Sequence, residues 1–163
     1  MTSAVERVTS GLDSLVRFLV AACMGLMVLV VSWQVLSRYI LGDPAAWTEE
    51  VALTLLIWVG LLGGVYAYRE KAHLGLDLLE HRLGPLGKHR IHMFSDLCCG
   101  VFALAVLVVG GGALVQLTYQ LEQTTAALGV PMAYVYAVLP LSGLLIVYYS
   151  IVSLFTKSQE ADV

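Results

Sequence analysis

The sequence predicts an all-α integral membrane protein, with four transmembrane helices and two amphipathic interfacial helices. Three observations predict this. Hydrophobic residues make up 59% of the 163 residues and charged residues 13%, whereas soluble domains carry roughly 25% charged residues. Mean hydropathy is +0.83. Four apolar stretches approach or exceed the length of about 20 residues that crossing a bilayer requires. A chain of this length fits one membrane domain over residues 1–163. Its net charge of −3 gives no footprint for nucleic acid.

The first span is expected over Phe18 to Ser37, between Arg17 and Arg38. The second covers Val51 to Tyr68, between Glu50 and Arg69. The third covers Leu97 to Leu121, between Asp96 and Glu122. The fourth is expected at about Met132 to Phe155. Pro131 suits a first helical turn there. Pro140 removes a backbone donor and clashes with the preceding turn, so it is expected to kink the helix.

Two further segments read as surface helices. At about residues 4–16, Val5, Val8, Leu12, Leu15 and Leu19 recur at helical spacing, with Glu6, Arg7, Ser10, Asp13 and Arg17 filling much of the rest. At about residues 74–83, Leu76, Leu79 and Leu83 share a face opposite Asp77, Glu80, His81 and Arg82. Gly84 to Gly87 then breaks the pattern.

Lys and Arg set the orientation of such a chain. With both termini cytoplasmic, Arg7, Arg17, Arg69, Lys71, Arg82, Lys88, Arg90 and Lys157 lie inside and Arg38 alone lies outside. Aromatic residues agree: Tyr39, Trp47, Tyr119, Tyr134 and Tyr136 fall near the outer interface, and Tyr66, Tyr68, Tyr148 and Tyr149 near the inner one. The stretch "VAAC" before Met24 resembles a lipoprotein cleavage site, but only Phe18 to Ala22 separate Arg17 from Cys23. A signal core needs roughly 7–15 apolar residues, so an uncleaved helix is expected.

Reactive chemistry is hard to place. No carboxylate, lysine or histidine falls in mid-span, which disfavours a stand-alone carrier of the antiporter kind. His73, His81, His89 and His92 all lie in the inner loop, where they cannot ligate haem between helices. Three cysteines, Cys23, Cys98 and Cys99, in or beside apolar runs give no disulfide framework. No enzyme activity, cofactor or metal is therefore expected. Small residues carry more information. Gly60 and Gly64 form a GxxxG, and Gly110, Gly111 and Gly112 form a patch in span three. Such residues serve either packing within the bundle or contact with a partner.

Three motifs point to a family. "RYILGDPAAWTEEVALTLLIWVGLLGG" has an Arg-aromatic pair, Arg38 and Tyr39, closing span one and Trp47, Glu49 and Glu50 opening span two. "YREKAHLGLDLL" supplies Arg69, His73 and Asp77. "TTAALGVPMAYVYAVLPLSGLLI" supplies Leu128, Pro131, Tyr136 and Pro140. Together these resemble the small membrane subunit of tripartite ATP-independent periplasmic (TRAP) transporters, over about residues 12–155. Ala45 and Ala46 depart from it, where bulkier or polar residues are expected before the tryptophan.

The resemblance implies a non-catalytic subunit in a bacterial inner membrane. It would clamp a large transport subunit, which carries sodium and an organic acid such as a C4-dicarboxylate or sialic acid. It would also help dock a periplasmic solute-binding protein. The alternative is a self-associating four-helix carrier. At the loop between spans one and two, Thr48 is a candidate N-cap, and a carboxylate at a helix start is favoured by the dipole. We expect Arg38 to pair with one of Glu49 and Glu50. The other is then left for a basic group on a partner, unless the pair is only an internal clamp.

Overall fold

The computed structural model describes residues 3–42, 45–70 and 85–161. The expected surface helix at 74–83 lies outside them, as do His73 and Asp77. The first helix, α1 (Ser3–Leu36), ends in a π-helical turn over Ser37–Leu41. Gly42 stops it in the left-handed region at φ 70°, where glycine alone is unstrained. α2 (Ala46–Arg69) runs back alongside α1, because so short a connection forces antiparallel neighbours. α3 (Pro85–Phe102), a π-helical stretch over Ala103–Gly110 and α4 (Gly111–Gln120) form one continuous rod. A loop returns the chain to α5 (Met132–Tyr136) and α6 (Val138–Ala161).

Four helical segments are long and apolar enough to cross a membrane: Glu6–Leu41, Ala46–Arg69, Met93–Gln120 and Met132–Leu154. The protein is thus an all-α, multi-pass membrane protein. One end of the bundle carries the α1–α2 hairpin and the α4–α5 loop. The opposite end carries the start of α1 and the end of α6.

Three of the helical segments differ from expectation. α1 continues without a break through the boundary expected near Arg17, so no separate surface helix precedes the first span. Its buried face is also rotated. Thr9 and Val16 are buried and Leu12 and Val20 pack on the core, while Val8 and Leu15 are 54% and 52% exposed. The reason is polar pairing. The Thr9 hydroxyl lies 3.0 Å from that of Tyr148, and Asp13 meets Arg69, so the polar side chains turn inward where they have partners.

The third rod begins well before Leu97, at Pro85. A proline in the first helical position loses no bond the helix would have made. The fourth span runs on through Ala137 in helical backbone, φ −58° and ψ −22°, with its hydrogen-bond ladder interrupted there. Pro140 cannot donate to the carbonyl four residues back. The Leu141 N–H reaches the Ala137 carbonyl at a long 3.4 Å. Pro131 sits just outside α5, as its cap residue.

The core lies along α6, whose Val138, Ser142, Tyr149 and Ser150 are buried at helical spacing. Val16 of α1 and Val65 of α2 complete it with Tyr149. Three hydroxyls in the spans donate on their own helix. Ser142 donates to the Leu139 carbonyl at 2.9 Å, Thr54 to that of Glu50 at 2.9 Å, and Thr118 to that of Leu114 at 2.9 Å. They therefore do not line a polar path across the bundle.

Candidate functional site

At the hairpin end, the expected pairing of Arg38 with a glutamate does not form. Arg38 is exposed on the π-helical turn, and Tyr39 beside it is 80% exposed. Glu49 is exposed on the first turn of α2 and Trp47 is 43% exposed. Glu50 has other partners. Its Oε1 accepts from the Ala127 N–H at 2.6 Å and its Oε2 from the Leu128 N–H at 3.0 Å. Backbone donors of a loop 77 residues away thus take the carboxylate. Bonds to an ionised acceptor are about twice as strong as neutral ones, and an exposed guanidinium gains little from a solvated pair. Thr48 is not the cap either. Ala45 holds that position, and the buried Thr48 donates its hydroxyl to the Ala45 carbonyl at 2.6 Å.

The loop that Glu50 grips, residues 121–131, has its own scaffold. The Gln123 N–H donates to the Thr118 carbonyl at 3.1 Å and the Met132 N–H to the Gln123 carbonyl at 2.8 Å. The Thr125 N–H donates to the Val130 carbonyl at 2.9 Å, and the Gly129 N–H to the Thr125 carbonyl at 3.0 Å. The Val130 N–H donates to Thr125 Oγ1 at 3.1 Å. Gly129 supplies the left-handed position at φ 65°. A small hollow of about 170 Å³ under the loop is lined by Glu50, Val51, Thr54, Leu128, Val130 and Val135 among others. One turn of helix further along α2, Trp58 Nε1–H donates to the Val135 carbonyl at 3.1 Å, beside the interrupted ladder before Pro140. A tryptophan in an apolar span needs an acceptor. That need was readable in the sequence, although its partner was not.

At the terminal end, Arg69 Nε pairs with Asp13, 3.2 Å from Oδ1 and 3.1 Å from Oδ2. The guanidinium carbon lies 5.7 Å from the centroid of the Tyr149 ring, within cation–π range. Tyr149 in turn meets Tyr148 edge to face, with centroids 5.7 Å apart. This cluster ties α1, α2 and α6 together. Asp96 does the same for α2, α3 and α6. Tyr68 donates to its Oδ1 at 3.3 Å, Ser153 to its Oδ2 at 2.8 Å, and Ser150 to its backbone carbonyl at 2.6 Å. Asp13 and Asp96 both escaped sequence reasoning as site residues. The available signal was position, since each lies at the same end of the bundle as the group it meets.

The glycines divide into two sets. A Cβ on Gly111 would come within 2.8 Å of Leu139 Cβ and 3.2 Å of Pro140 N, and one on Gly143 within 2.7 Å of Leu107 Cβ. These positions bring the third rod against α6. Gly60 and Gly64, by contrast, are exposed with nothing within 4 Å. They line an apolar groove of about 460 Å³ between α2, α3 and α6, with Tyr68, Cys98, Phe102 and Ile146. Among the described residues, no group of three or more His, Cys, Asp or Glu is gathered as a metal site. What the chain presents is surface: an ordered loop at one end and an open groove along one flank.

The family model described as tripartite ATP-independent periplasmic transporters, DctQ component, matches residues 27–160. Among relatives, the sialic acid TRAP transporter small permease protein SiaQ of Vibrio cholerae is 26% identical over 149 residues, covering 88% of this chain and 82% of the relative. The C4-dicarboxylate TRAP transporter small permease protein DctQ of the same organism is 28% identical, covering 63% of this chain and 44% of the relative. The isethionate TRAP transporter permease protein DctMQ of Oleidesulfovibrio alaskensis is 33% identical over 132 residues, covering 77% of this chain but only 20% of the relative. With four spanning helices and a family match over most of its length, the chain belongs to the DctQ components of the tripartite ATP-independent periplasmic transporters.

Proposed function

We propose that this chain is the non-catalytic small membrane subunit of a sodium-coupled, binding-protein-dependent organic-acid importer in a bacterial inner membrane. Both termini lie in the cytoplasm, and the hairpin end faces the periplasm. The chain acts as a scaffold for a large transport subunit and helps dock the solute-binding protein. Sodium coupling and substrate selection belong to the other subunits, and bilayer lipid covers the remaining apolar surface. The observation that carries this reading is that, among the described residues, no polar path runs through the middle of the bundle. Thr54, Thr118 and Ser142 donate to carbonyls of their own helices. The interhelical hydroxyl bonds of Thr9 and Ser150 lie towards the terminal end, and the carboxylates that bond within the fold sit at its two ends. A carrier working alone needs polar groups at mid-membrane depth. The organisation of DctMQ supports a large membrane partner, since a segment matching this chain forms one fifth of that permease protein.

The test is transport in proteoliposomes. Uptake of a labelled C4-dicarboxylate or sialic acid is measured with a sodium gradient, the neighbouring large subunit and the binding protein. It is expected only when this chain is present. Uptake by the large subunit and binding protein without it would overturn the proposal.

A further inference from the structure

At the hairpin end the two adjacent glutamates have separate fates. Glu49 is exposed. Glu50 turns under the 121–131 loop and takes the N–H groups of Ala127 and Leu128, one on each carboxylate oxygen. The remaining loop bonds close over short distances around Thr125: the Thr125 N–H to Val130, the Gly129 N–H to Thr125, and the Val130 N–H to the Thr125 hydroxyl. Ala127 and Leu128 form the tip, and the recorded bonds of their N–H groups go to Glu50. The tip is thus tied to α2 through one carboxylate.

We propose that Glu50 is a positioning residue that holds the 121–131 loop in a single shape, ready-made for docking the solute-binding protein. This rests on the docking role proposed above. Holding a loop in its bound shape removes the ordering cost that a free loop carries on association. The charge of the surface argues for the kind of partner. The exposed carboxylates Glu49 and Glu122 outnumber the exposed guanidinium of Arg38 among the described side chains of this end. A protein face with basic side chains complements it, and such complementarity acts mainly on encounter and register. Glu50 itself touches no partner. It acts through the loop.

The test uses the whole transporter, co-purified and reconstituted with wild-type, Glu50→Gln or Glu50→Ala small subunit. Amide exchange is read first. In Glu50→Ala, exchange at Ala127 and Leu128 is expected to accelerate, while Gly129 and Val130 keep the protection given by Thr125. In Thr125→Val, exchange at Val130 is expected to accelerate more than at Ala127 and Leu128, whose own bonds to Glu50 remain. Uptake is then measured against binding-protein concentration. The apparent KM for the binding protein is expected to rise about threefold to tenfold in Glu50→Ala, with maximal rate per reconstituted complex unchanged. A role confined to folding would lower the amount of complex and leave that KM alone. Unchanged exchange at Ala127 and Leu128 would overturn the lock. Faster exchange with an unchanged KM would overturn its use in docking. If wild-type uptake does not depend on this chain at all, the functional reading itself fails. That failure is distinguishable, because the other two leave wild-type uptake intact.

Discussion

At the scale of single residues, the charges near the membrane boundary are sorted by what can desolvate and bond them. Arg38 and Arg69 read alike in the sequence, each ending an apolar span. The structure separates them. Arg38 stands exposed, while Arg69 meets Asp13 on the neighbouring helix and the face of Tyr149. Arg38→Glu is therefore expected to leave the folded protein within about 0.5 kcal/mol of wild type. In a double-mutant cycle, Arg69→Ala and Asp13→Asn are expected to couple. The side chains are 41% and 21% exposed, so after screening the coupling is at most about 1 kcal/mol. Melting of the detergent-solubilised protein reads both effects. Additive Asp13 and Arg69 variants, or an Arg38→Glu protein that melts well below wild type, would contradict this assignment. Sequence reasoning paired Arg38 with a glutamate because chain neighbours are visible and a loop 77 residues away is not. Backbone donors carry no sequence signature, so the true partners of Glu50 could not be read.

At the scale of elements, hydropathy located the four spans because the requirement is length and apolarity, and α2 fits that reading closely. The ends were less legible, because they depend on tertiary partners. The inward turn of Thr9 and Asp13 rotates the face of α1 away from the one its leucines and valines mark. Glycine spacing was legible as a packing signal, but its direction was not. Gly143 is backed by Leu107 and Val108 on the π-helical stretch, with Val108 N 3.0 Å from where a Cβ would stand. Gly64 faces the open groove. Gly143→Ala is thus expected to overpack the α6 contact and cost about 1–3 kcal/mol. Gly64→Ala is expected to leave the melting temperature close to wild type, since alanine fits a helix interior and meets no neighbour. Equal losses at the two sites would mean that the helices are packed differently.

At the scale of the whole molecule, what matters is how little of the apolar surface the chain covers by itself. Phe18, Leu29, Phe94, Phe102 and Val109 are each 60–69% exposed, and the Gly60–Gly64 groove is open along one flank. In a bilayer such surface meets lipid or another protein, and small-residue faces favour close helix contact. The sequence made this partner-dependent reading accessible through an absence, the lack of charge in mid-span, together with the order of its motifs. It could not indicate which flank is open, because that depends on how α2, α3 and α6 splay. The central claim is that this bundle works as one part of a larger membrane assembly. It is tested most directly by purifying the tagged chain from its own host in mild detergent and identifying by mass spectrometry what accompanies it. The account predicts one large polytopic membrane protein in about equal amount. Recovery of this chain by itself, as a monodisperse oligomer, would contradict it.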